Sequence, residues 1–131
     1  MVEFAMVIPI FMLILSGILD FGFALYNRMT VINAAREGAR VAAMVSDPSK
    51  IETAATDAAK SAAAQAGLTL SGVGVTCSDK TGTIVCSDAV TGDFVSVKAN
   101  YSYHTFFPLA FGTAFDLSST VEMVLDSIGA T

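Results

Sequence analysis

The chain has 131 residues, of which 53% are hydrophobic and 15% charged, and its mean hydropathy is +0.64. That composition excludes a disordered chain, which needs low hydrophobicity and high charge, and it leaves room for one domain plus an appendage. Seven Lys and Arg face twelve Asp and Glu, and a net charge of -5 excludes a nucleic-acid binder that neutralises many phosphates.

From Phe4 to Leu19 there is no charged residue, and after Asp20 the apolar run resumes as Phe21 to Tyr26. As a helix this stretch would extend about 35 Å, enough to cross a bilayer core of about 30 Å. It is apolar on all sides, so it has to be enclosed by lipid or protein, which rules out a soluble monomer. Phe4, Ile8, Phe11, Leu15, Ile18, Phe21 and Leu25 are the side chains expected to pack in a helix core shared with neighbours. Pro9 removes one backbone bond to the carbonyl of Ala5 and predicts a kink or a pliable segment.

Helical pattern continues through residues 27–45 without a breaker until Ser46-Asp47-Pro48. There Ala35, Gly38, Ala39 and Ala42 make a narrow face of small residues, suited to packing on the chain's own head. A helix of about 45 residues would be about 68 Å long, whereas a compact globule of this size has a radius of gyration of about 14 Å. The helix must protrude. The expected organisation is an N-terminal helix over 1–46, with 1–26 apolar and 27–46 packed on the head, and a small globular head over 47–131.

Asp47-Pro48 predicts a helix start, with a capping oxygen and a ring preset for the first turn. The alanine-rich stretch from Ser49 to Ala66 predicts a short second helix ended by Gly67. Its expected packing face is Ile51, Ala55, Ala58, Ala62 and Gln65 or Ala66. Beyond Gly67 the period becomes two. Strands are predicted at Leu68–Cys77, with a phase slip near Ser71-Gly72 that suggests a bulge, and at Thr83–Val90. A third has Val95, Val97, Ala99, Tyr101 and Tyr103 on one face, and a fourth has Leu117, Ser119, Val121, Met123 and Leu125. Phe107, Phe111 and Phe115 make the loop Phe106–Asp116 an aromatic cluster. The fold class is therefore α+β: a long protruding N-terminal helix, a short second helix, and an antiparallel meander of about four strands covered on one face by both helices.

Cys77 and Cys86 face each other if Thr81-Gly82 centres a hairpin turn. A disulfide there would contribute roughly 2–3 kcal/mol in the chain-entropy model. Two reduced, buried thiols are the alternative, and a metal pair lacks further ligands. Residues 1–50 balance Arg28, Arg36, Arg40 and Lys50 against Glu3, Asp20, Glu37 and Asp47, so residues 51–131 carry the whole net charge of -5.

The stem's charges are informative because Asp20 and Arg28 lack intrahelical partners at i±3 or i±4, and Glu37 can reach Arg40, which leaves Arg36 over. Burying such groups singly costs several kcal/mol each. They are expected to face water or to pair between copies, with Asp20 to Arg28 the leading pair. No Lys or Arg precedes Arg28, the arginines that follow the run favour a cytoplasmic head, and two cysteines favour the oxidising side. A basic leader, cut away to leave the apolar helix as the mature start, would remove that conflict.

Val2-Glu3-Phe4-Ala5, Pro9, Phe11, Gly17-Ile-Leu-Asp20-Phe21-Gly22 and Asn33-Ala-Ala-Arg-Glu-Gly-Ala-Arg40 together resemble the TadE-like family, pilin-type proteins of the tight-adherence branch of type IV pilus systems. The resemblance covers residues 2–45; the β-region agrees only loosely. It implies a type IV pilin-like fold and a precursor cut by a prepilin peptidase. It further implies an apolar helix held first in the inner membrane and later assembled, by the pilus machinery, at the core of a filament on the bacterial cell surface. In pilins a glutamate early in the mature helix neutralises the terminal amine of the adjacent subunit, a role that falls here on Glu3 with Met1. The function expected is that of a structural subunit of an extracellular, helical filament of identical chains that attaches cells to surfaces. The alternative is a minor membrane-anchored pseudopilin or assembly factor.

Enzymatic readings find little support. His104 sits on a polar strand face with no Cys or acid at motif spacing. Ser71-Gly-Val-Gly74 lacks the lysine and helix of a phosphate loop, and Asp79, Asp88 and Asp93 match no calcium loop. No catalytic residue, metal or cofactor is expected. Adhesion through the Phe106–Phe115 loop is the binding-module reading.

Overall fold

A computed structural model describes residues 2–105 and 113–126, apart from the side chains of Val2, Glu3 and Ala5. The first helix, α1, runs unbroken from Val2 to Met44, 43 residues with Pro9 inside it. At 1.5 Å per residue it is about 65 Å long. It ends before Asp47, which caps a single 3-10 turn at Pro48–Lys50 by accepting the Ser49 amide at 3.1 Å and the Ser49 hydroxyl at 2.7 Å.

The second helix, α2, spans Ile51–Gln65. It closes with the Leu68 amide bonded to the Ala63 carbonyl and the Gly67 amide to the Ala64 carbonyl, both at 3.0 Å. Gly67 holds φ at +77°, the left-handed geometry this closure requires and a side chain would resist. The buried face of α2 is Ile51, Ala55, Ala59 and Ala63, with Ala58 and Ala62 only half-buried. This corrects the expected Ala58–Ala62 stripe, because alanines surround the helix and the apolar period alone does not fix its rotation.

Four antiparallel strands follow: β1 (Gly72–Ser78), β2 (Thr83–Ile84), β3 (Phe94–His104) and β4 (Ala114–Val124). The first begins at Gly72, where the alternation slips, and the expected Leu68–Ser71 segment precedes it. Their order is β2-β1-β3-β4. A meander would place β2 between β1 and β3; instead β2 folds back as a two-residue edge and β3 crosses to the other side of β1. The expected strand at Thr83–Val90 stops at Ile84 because the chain turns into a 3-10 segment at Cys86–Asp88.

One face of the sheet carries the core. Val95, Val97, Ala99 and Tyr103 on β3 are buried, as is Leu125 after β4, while the alternate residues of β4 point to solvent. The C-terminal half of α1 lies on this face through Val31, Ala34, Ala35, Ala39 and Ala42, all buried. Alanine and glycine at these positions let three layers approach closely. A Cβ added at Gly38 would stand 2.9 Å from the Ala55 carbonyl oxygen, 3.1 Å from the Ala59 Cβ and 3.2 Å from a Val97 methyl. The Asp126 amide, bonded to the Ala43 carbonyl at 3.4 Å, ties the end of β4 to the end of α1.

Cys77 and Cys86 form a disulfide with Cα atoms 5.1 Å apart. The route differs from the expected one, since Cys77 lies opposite Ile84 in the β1–β2 register. The hairpin is two residues tighter, and the 3-10 turn swings Cys86 back to Cys77. Asp79 closes the tip by accepting the Thr81 hydroxyl and the Thr81 and Gly82 amides, at 2.6, 2.7 and 2.8 Å. These bonds, the Thr81 hydroxyl foremost, hold its carboxyl below the usual aspartate range.

Candidate assembly surface

The N-terminal half of α1 is the largest exposed apolar surface among the described residues. Relative exposure is 75% at Phe4, 59% at Phe11, 63% at Ile18 and 67% at Phe21, with Ile8, Leu15 and Leu25 also exposed. Of these side chains Phe21 borders a cavity shared with Tyr103 and Phe115 of the head and is still largely exposed. By length and composition α1 is long and apolar enough to cross a membrane. Contiguous apolar patches this large mark interaction surfaces with protein or membrane. Met1 and the side chain of Glu3 lie outside the described residues, and so does their expected pairing with a neighbouring chain. The same is true of Phe106–Gly112, which form most of the aromatic loop.

The stem's charges separate into distinct situations. Glu37 and Arg40 form an exposed, bidentate pair, Nη2 to Oε1 at 2.6 Å and Nε to Oε2 at 2.9 Å. Such a pair contributes little to stability. Arg28 and Arg36 are exposed and make no ion pair among the described residues.

Within the chain, Asp20 has a partner that its helix alone does not offer. It is 5% exposed and is met by its own head, where the Tyr103 hydroxyl donates towards the Asp20 carboxylate at 3.3 Å and lies 3.4 Å from the Asp20 carbonyl oxygen. Nothing local in the sequence joins two residues 83 apart. The contact arises because β3 runs antiparallel to the stem and its last turn of alternation places Tyr103 on the helix-covered face. Burial, and next the Asp20 charge, raise the Tyr103 phenol above its ordinary value. Beside the pair a cavity of about 110 Å³ is lined by Gly17, Asp20, Ala24, Tyr103 and Phe115, among others.

Tyr103 therefore ties the end of β3 to the stem at Asp20. Tyr103→Phe removes a hydrogen bond to a buried charged group and is expected to cost about 1.5–3 kcal/mol. Thermal melting of the full chain in detergent checks this, with Tyr101→Phe as the control that leaves Asp20 untouched.

Among the described residues no group of three His, Cys, Asp or Glu side chains is arranged to hold a metal ion. His104 ends β3 as an exposed residue.

A long apolar helix whose second half docks on a small α+β head, leaving the first half bare, is the layout of a pilin-like protein. Residues 1–40 match the family described as TadE-like protein. The chain is thus consistent with a TadE-like, pilus-related protein of the tight-adherence system, with a membrane or cell-surface location. No curated protein and no solved structure matches the chain.

Proposed function

We propose that the protein is a structural pilin subunit that polymerises through the apolar half of α1 into an extracellular tight-adherence filament for surface attachment. The observation that supports this most directly is the bare stem: Phe4, Ile8, Phe11, Leu15 and Ile18 are exposed on a helix whose other half docks on the head through Val31, Ala34, Ala35, Ala39 and Ala42. A filament core built of such stems buries them at roughly 25 cal/mol per Å² of apolar surface. Before assembly the same segment rests in the inner membrane as a precursor cut by a prepilin peptidase, and Glu3 then meets the terminal amine of an adjacent copy. Arg28 and Arg36 are the stem cations offered to acids of neighbouring subunits. The disulfide suits an oxidising, extracytoplasmic location.

A minor pseudopilin or priming factor would present the same stem to the membrane, and abundance separates the two. Filaments sheared from cells and imaged by cryo-electron microscopy should have this chain as the bulk of their mass, with residues 4–26 enclosed by sister stems. Trace amounts confined to a tip or base would overturn the proposal.

A further inference from the structure

Gly22 is a glycine in the interior of a long helix, where it is unfavourable relative to alanine, and its own chain does not require it. A Cβ built there meets nothing within 4 Å, in contrast to Gly38, where the approach of α2 and β3 leaves no space for one. Gly22 lies about 200° round the helix from Asp20 and so points away from the head. Ile18, Leu19, Phe23 and Tyr26 rise around it and line a shallow, open groove of about 400 Å³. Along the same side, Phe4, Ile8, Phe11, Leu15, Ile18, Gly22, Leu25 and Met29 recur at alternating steps of four and three, the spacing by which one helix packs its side chains into holes of another. Gly22 is the one hole in a row of large side chains.

Tyr103, Thr105 and Phe115 of the head line one cavity with Gly17 and Asp20, so the head already stands beside the stem at that level. Once the chain leaves the membrane for a filament, lipid no longer covers the groove, and Phe23, Tyr26 and Met29 are exposed there. A protein surface has to cover them. Charge selects which: the exposed Arg28 and Arg36 lie on the stem, while residues 51–131 carry the whole net charge of -5, so a parallel second copy brings an acidic head towards these arginines.

We infer that the Gly22 groove is a docking notch that receives a large apolar side chain from the α1 of a second copy. The inference rests on the filament reading and names the contact that reading leaves open. Its test compares wild type, Gly22→Ala, Gly22→Leu and the size control Phe23→Leu as full-length chains in the native host. Three quantities are measured: chain in sheared filaments, chain cross-linked to itself in isolated membranes, and formation of the Cys77–Cys86 bond as a sign of a folded head. Gly22→Leu should lower both filament yield and self-cross-linking at least tenfold, Gly22→Ala should fall between it and wild type, and all variants should form the disulfide. Wild-type self-cross-linking by Gly22→Leu overturns the notch and leaves lipid as the cover. Wild-type chain missing from filaments overturns the filament reading instead, and membrane cross-linking of the same variants then decides the notch alone. If Gly22→Leu fails to form the disulfide, Gly22→Ala decides: unchanged cross-linking overturns the notch, and a loss upholds it.

Discussion

Placing a large side chain at Gly38 should weaken the docking of stem to head strongly, and even an alanine should weaken it. The Cβ of even an alanine stands 2.9 Å from a backbone oxygen of α2, and that oxygen is held in a helix and cannot swing aside as a side-chain tip would. Overpacking a tight core costs about 1–3 kcal/mol, against a gain of about 1 kcal/mol for replacing a helical glycine by alanine. Gly38→Ala should therefore be mildly destabilising. Gly38→Leu adds three further carbons between Ala55, Ala59 and Val97 and should exceed about 3 kcal/mol, lowering the melting temperature of the head by more than about 10 °C. Thermal melting of the full chain in detergent checks both. Gly22→Ala makes the comparison sharp, since the same helical gain comes there with no opposing contact in the isolated chain and the sign should reverse.

That pair of glycines shows how far a sequence can be read here. The length of α1 was legible because nothing from Val2 to Met44 ends a helix, and the single proline near its start lies where apolar side chains on every face still favour helix. The inward faces of β3 and β4 were legible because both alternate cleanly, Val95-Val97-Ala99 against Val121-Met123-Leu125. The rotation of α2 was not, because seven of its fifteen residues are alanine and the pattern is nearly flat around the helix. Neither was the β1–β2 register. A shift of two residues keeps every side chain on its own face, so alternation cannot distinguish Cys77 opposite Cys86 from Cys77 opposite Ile84.

The candidate surface divides in the same way. Its apolar extent is written in the composition of residues 4–26. The level at which β3 meets the stem is not, and the Tyr103–Asp20 contact reveals it. An apparently stranded acid in an apolar helix thereby becomes a marker of where β3 meets it.

Replacing Cys77 and Cys86 together by alanine is expected to destabilise the head by about 2–3 kcal/mol, from the chain entropy of a loop whose ends are 9 residues apart. The effect should be local as well as global. Cys77 is wholly buried in the core cluster with Ile51, Val95 and Leu125, so its Cβ remains packed in the variant. Cys86 sits in a 3-10 turn beyond a strand of only two residues, and such a strand cannot hold an edge by its own two ladder positions. The covalent bond is what ties that turn to β1, whereas the β1–β3–β4 ladder, with its seven and eleven paired positions, stands without it. Hydrogen exchange should therefore accelerate first and most at residues 83–89, with β3 amides following only as global stability falls. Reduction of the wild-type chain with a thiol reagent should reproduce the same order. Uniform loss of protection across β1, β3 and β4, with residues 83–89 no faster than the rest, would show that the disulfide supports the whole sheet and not its edge.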